Sequence, residues 1–65
     1  MKINHTVLLT ELARKCMTLR DLSIISGVNT VTLTRIKTGV QEPQPITIGK
    51  IARALEIEVE RLIEE

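Results

Sequence analysis

Aliphatic residues recur at intervals of three and four along most of the chain, the spacing of one helix face. In residues 6–16, TVLLTELARKC, the positions Leu8, Leu9, Leu12, Ala13 and Cys16 predict a first amphipathic helix, with Met17 as core filler behind it. Thr18 is placed to cap a second helix, with Asp21 three residues on as an imperfect capping-box partner. That helix turns Leu19, Leu22 and Ile25 inward, and Gly27 ends it, as glycine does where the backbone needs a positive φ.

Asn29 is a good N-cap for a third helix reaching about Thr38 and closed by Gly39. Here local propensity objects, because Val28–Arg35 alternates Val and Thr in a strand-like way. The caps at both ends and the pair Leu33 and Ile36 favour the helix. Residues 39–45, GVQEPQP, form a loop, and Pro45 suits the first position of a fourth helix carrying Ile48, Ile51, Ala52 and Leu55. Gly49 inside that helix costs roughly 1 kcal/mol relative to alanine. Close packing against a neighbour is the expected reason, and a strained helix start is the other. A final short helix, Val59–Glu64, offers Leu62 and Ile63. There is no repeat, linker or low-complexity segment. The expected fold is all-α: one domain over residues 1–65, a compact bundle of about five short helices in which the second and third form a helix-turn-helix.

Composition narrows what such a bundle can do. A chain of 65 residues buries only about 60% of its unfolded surface, which leaves room for one core and no active-site cleft. Phe, Tyr and Trp are absent, so the core is aliphatic and nothing is available to stack single-stranded bases. The lone cysteine, Cys16, excludes an internal disulfide and argues against a cysteine-based zinc site. At an apolar helical position it reads as core rather than redox sensor. His5 has no partner ligands in sequence and reads as an exposed terminal residue. No nucleophile sits beside a base, and no metal-ligand spacing or glycine-rich phosphate loop is present, so neither catalysis nor a cofactor is expected. Neither a signal-peptide pattern nor a bilayer-length apolar run occurs, which points to a soluble cytoplasmic protein with no membrane partner.

The formal net charge of +1 hides an asymmetry. Residues 1–41 carry six basic side chains (Lys2, Arg14, Lys15, Arg20, Arg35, Lys37) against Glu11 and Asp21. Residues 42–65 carry Lys50, Arg53 and Arg61 against six glutamates. One end of the molecule can approach a polyanion that the other repels, although an unevenly charged solvated surface gives the same pattern.

The order of these pieces resembles the Cro/Xre-type, lambda-repressor-like helix-turn-helix family of phage and bacterial regulators over residues 17–63. The turn Leu22-Ser23-x-x-x-Gly27-Val28-Asn29 is similar to the family's L-A-x-x-x-G-V-S. Leu33 and Ile36 fall where its recognition helix buries two aliphatics, and Gly39 and Pro43 match its closing loop. IARALEIEVERLI, residues 51–63, resembles its A-x-x-L-x-V-x-x-x-x-L ending. The chain departs from the pattern at several places. Leu19 stands where many members carry a DNA-touching Gln, Glu56 replaces a frequent glycine, and Glu58 replaces a common Ser cap. The first helix also lacks the frequent L-x-x-x-R.

The resemblance implies that the helix over 29–38 enters the major groove of double-stranded DNA. Its outward stripe is Thr30, Val31, Thr34, Arg35 and Thr38. Arg35 can donate a bidentate pair to guanine, and Val31 and the Thr methyl groups can pack on thymine methyls. Thr18 and Asn29, each at a helix N-terminus, are placed for phosphates, with Arg20 and Lys37 adding nonspecific attraction. Glu42, near the loop facing the backbone, opposes this. The bland readings are a solvated Arg35, a solvating Lys37 and a Thr run that is merely helix surface.

The expected function is that of a small sequence-specific regulator of phage or mobile-element type, repressor or Cro-like, occupying an operator. Useful specificity requires a homodimer with recognition helices about 34 Å apart. Because the chain ends straight after the bundle, Ile57, Val59, Leu62 and Ile63 are the expected self-association set. The alternative is a protein-interaction module, an antirepressor or antitoxin that captures another regulator. Leu19, Glu42 and the acidic second half favour that reading. An excised domain of a longer protein is a third.

Overall fold

A computed structural model describes residues 1–64 and contains five helices: α1 (His5–Arg14), α2 (Leu19–Ser26), α3 (Thr30–Thr38), α4 (Pro45–Leu55) and α5 (Val59–Leu62). To these it adds a two-residue antiparallel pair that no periodicity marks. Strand β1 (Lys2–Ile3) lies beside β2 (Ile63–Glu64), with Lys2 opposite Glu64 and Ile3 opposite Ile63. The last helix therefore stops at Leu62 and not at Glu64. None of the helices is long and apolar enough to cross a membrane.

The helix-turn-helix is set by its caps. Thr18 and Asp21 form a complete capping box, each side chain accepting from the other's backbone N–H at 3.1 and 3.0 Å. Hydrogen bonding to the carboxylate from the Thr18 backbone N–H first, and from the Thr18 hydroxyl second, holds the Asp21 carboxyl below the ordinary carboxylate range; desolvation opposes this and Arg20 assists. Gly27 (φ 77°) closes α2, and Asn29 caps α3 by accepting from the Val31 N–H at 2.7 Å. Gly39 (φ 81°) closes α3. With both ends fixed and Leu33 and Ile36 buried, packing overrides the strand propensity of the Val/Thr run.

The core is a single aliphatic cluster. Leu8, Leu22, Leu33, Ile36, Ile48, Ile51, Leu55 and Leu62 are its fully buried members, with Met17, Leu19, Ile57, Val59 and Ile63 packed against it. Each full burial stabilises by about 1.5–3 kcal/mol. α2 packs on both α3 and α4, and α5 packs on α1 and α4.

Several inward assignments are corrected. α1 buries Leu8, Glu11 and Leu12, leaving Leu9 exposed, because its face is centred one position away from the expected one. Cys16 is exposed at φ 53°, two residues past the helix, and is not a core residue. Ile25 is 58% exposed, since an eight-residue helix wedged between α3 and α4 turns chiefly Leu22 inward. His5 is exposed yet not idle: its Nε2 donates to the Ile36 carbonyl at 2.8 Å, tying the start of α1 to α3. A methyl group added at Gly49 would meet nothing within 4 Å, so close packing does not require glycine there.

Glu11 is the one buried charged side chain among the described residues. Its Oε2 lies 3.3 Å from Arg14 Nε and 3.4 Å from Arg61 Nη2, and Oε1 lies 3.8 Å from Lys15 Nζ. The signal was present in the sequence: a carboxylate within the Leu8–Leu12 stripe, with cations three and four residues on.

Candidate nucleic-acid interface

α3 has two sharply different faces. Leu33 and Ile36 are buried against the core, while Thr30, Val31, Thr34, Arg35, Lys37 and Thr38 are exposed. The five residues expected to meet base edges thus share one accessible surface, with Arg35 and Lys37 on its two edges. The Ser23 hydroxyl accepts from the Thr30 hydroxyl at 3.5 Å where α2 crosses α3, so the small residue at this crossing is also a polar one.

Charge is distributed unevenly between this face and the far side. Arg14, Lys15 and Arg61 converge on Glu11. Arg20, Arg35 and Lys37 have no carboxylate within ion-pair distance among the described side chains, and the same holds for Lys50 and Arg53 on α4. Cations left unpaired by the protein retain their attraction for an external anion. Glu42, which was expected to oppose a polyanion, lies 3.9 Å from the Met1 amine, both being solvated.

The cap residues are more constrained than their sequence positions suggest. The Thr18 hydroxyl is committed to the capping box, so an anion at this end of α2 would meet Arg20 and the unpaired first-turn N–H groups instead, with the Asp21 carboxylate close by. The Asn29 side-chain oxygen is taken by Val31 N–H, which leaves its NH2 group as the outward donor. Leu19 packs against the core and presents no polar group.

The self-association set is only partly a surface. Leu62 is fully buried within the protomer and is corrected to a core residue, because α5 is a single turn that anchors itself by this side chain. Ile57, Val59 and Ile63 keep partial exposure.

Sequence reasoning missed a groove between α2 and α4, about 640 Å³, lined by Ile25, Ile46, Gly49, Lys50 and Arg53. Ile25 was assigned inward and Ile46 was not weighed, so nothing in the periodicity marked it. Among the described residues no group of three or more His, Cys, Asp or Glu side chains is arranged to hold a metal.

The family model of the Cro/C1-type HTH DNA-binding domain matches residues 8–64. No curated protein and no solved structure matches the chain.

Proposed function

The chain belongs to the family of Cro/C1-type helix-turn-helix DNA-binding domains, and on that premise we propose that it is a sequence-specific regulator of phage or mobile-element type that acts by occupying an operator. α3 enters the major groove, Arg35 donates to guanine O6 and N7, and Thr30, Val31, Thr34 and Thr38 meet neighbouring base edges. Arg20, Lys37, the Asn29 amide and the first turn of α2 at Thr18 approach phosphates. The observation that carries this reading is Arg35 itself: exposed, without an acidic partner among the described side chains, and beside a face of small side chains that lets the helix sit deep. Two copies acting together, joined through the Ile57, Val59 and Ile63 end, would set two such helices one turn of DNA apart.

The test is selection from a randomised duplex library at two salt concentrations, with the parent protein and with Arg35→Ala. Enrichment of a paired half-site is expected, weakened by salt. Loss of Arg35 removes about 1–3 kcal/mol of discrimination at one guanine. A second reading, capture of another regulator protein, is favoured by the exposed Ile25 and Ile46 that line the α2–α4 groove. Absence of any enriched motif at low salt would decide for it.

A further inference from the structure

The centre of α3's outer face carries no free hydrogen-bond donor. Thr34 Oγ1 donates to the Thr30 carbonyl at 2.9 Å. Thr38 Oγ1 donates to the Thr34 carbonyl at 3.0 Å and lies 3.2 Å from the Arg35 carbonyl. Thr30 Oγ1 donates to Ser23 Oγ at 3.5 Å. A hydroxyl has one hydrogen, so Thr34 and Thr38 are each left with a methyl group and oxygen lone pairs to show outward, while the longer Thr30 contact holds its hydroxyl less firmly. Val31, 56% exposed, adds two more methyls. At about 100° per residue Val31, Thr34 and Thr38 lie opposite Leu33 and Ile36, Thr30 lies nearer the α2 crossing, and the cationic donors Arg35 and Lys37 stand at the margins.

Major-groove edges differ in what they ask of such a surface. Guanine presents only acceptors there, adenine and cytosine present an amino donor, and thymine presents a methyl group. A centre of methyls and lone pairs complements thymine methyls and exocyclic amines, and it sets acceptor against acceptor at guanine. We propose that the centre of this face reads thymine methyl groups and disfavours guanine, leaving guanine recognition to Arg35 at the edge. This rests on the DNA-binding reading above and adds the base class that each part of the helix selects.

The experiment starts from the operator that the library selection yields and replaces its thymines one at a time with uracil, which lacks only the methyl. In at least one position of each half-site, uracil is expected to weaken binding about fourfold, the factor carried by burial of one methyl group. Thr34→Ser keeps the backbone hydrogen bond but loses the methyl, and this variant is expected to bind thymine and uracil equally at that position. Equal binding of thymine and uracil throughout a selected operator would overturn the inference while leaving sequence-specific DNA binding intact. Half-site guanines whose readout survives Arg35→Ala would overturn it as well. Failure to select any operator would overturn the underlying reading and the inference with it.

Discussion

Cys16 and Glu56 hold the same backbone conformation at the ends of two different helices. Cys16 sits two residues past α1 at φ 53°, and Glu56 one residue past α4 at φ 57°. In each case the next N–H reaches back to the fourth-last helical or near-terminal carbonyl, Met17 to Leu12 at 2.9 Å and Ile57 to Ala52 at 3.0 Å. Gly39 does the same for α3 without the steric cost of a β-carbon, Val40 N–H reaching Arg35 at 2.9 Å. Cys16→Gly and Glu56→Gly are each expected to stabilise by about 1 kcal/mol. Gly49→Ala is expected to add a similar amount from helix propensity, its new methyl group meeting open space. Denaturant unfolding checks all three: the midpoint should rise with the slope unchanged. Glu56 was legible, because it stands where the family pattern carries glycine. Cys16 was not, because periodicity continues past the point where a helix stops and says nothing about a left-handed residue.

At the scale of the element, caps were better guides than propensity. Asn29 and Gly39 bounded α3 correctly through a Val/Thr run that favours strand on composition. Thr18 and Asp21 did the same for α2 despite a shorter acid than the capping box usually has. What spacing could not show was rotation about the helix axis. α1 carries Leu8, Leu9 and Leu12, and only the packed neighbours decide that Leu9 faces solvent while Glu11 does not. The capping box also makes α2 sensitive to acid. Because the folded-state pKa of Asp21 lies below its ordinary value of 3.8, the ionised cap contributes its full stability above that value. The contribution is lost as pH falls through the lower, folded value. The stability difference between parent and Asp21→Asn should therefore be level at neutral pH and shrink below pH 3.8. Acid titration of unfolding for the two proteins would show it, and parallel curves would assign the cap's strength to the Thr18 side alone.

For the whole molecule, Glu11 is the polar tie between the two ends of the chain. Arg14 on α1 and Arg61 on α5 both hold its Oε2, and each is more than half exposed, so either alone is partly replaceable by the other and by water. Arg14→Ala and Arg61→Ala should each cost less than about 1 kcal/mol. The double variant should cost more than the two combined, because the carboxylate is then left buried with only Lys15 near it. Simple additivity in a double-mutant cycle would show that the pairs act independently. The bundle and its helix-turn-helix were readable in the sequence because caps, turn glycine and core pairs agree with one another. The β1–β2 pair was not, since two residues carry no alternation to detect. The Arg61 contact with Glu11 was not either, because nothing local links residues fifty positions apart.

The pairing of β1 with β2 has a consequence for timing. Lys2–Ile3 meets Ile63–Glu64, and Asn4 N–H reaches the Leu62 carbonyl at 2.7 Å, so this latch closes nearly the whole chain into one loop. The helices and the α2–α3 turn form from neighbours in sequence, whereas the latch is assembled only once they have brought the ends together. Its ladder holds few bonds, but Ile3 is buried in the core beside Leu62, so the latch closes last and cannot open without uncovering part of the core. His5 follows directly behind it and holds the Ile36 carbonyl near the end of α3. α3 thus has one end fastened by its own turn and the other by a clasp that forms only when the two ends of the bundle have met.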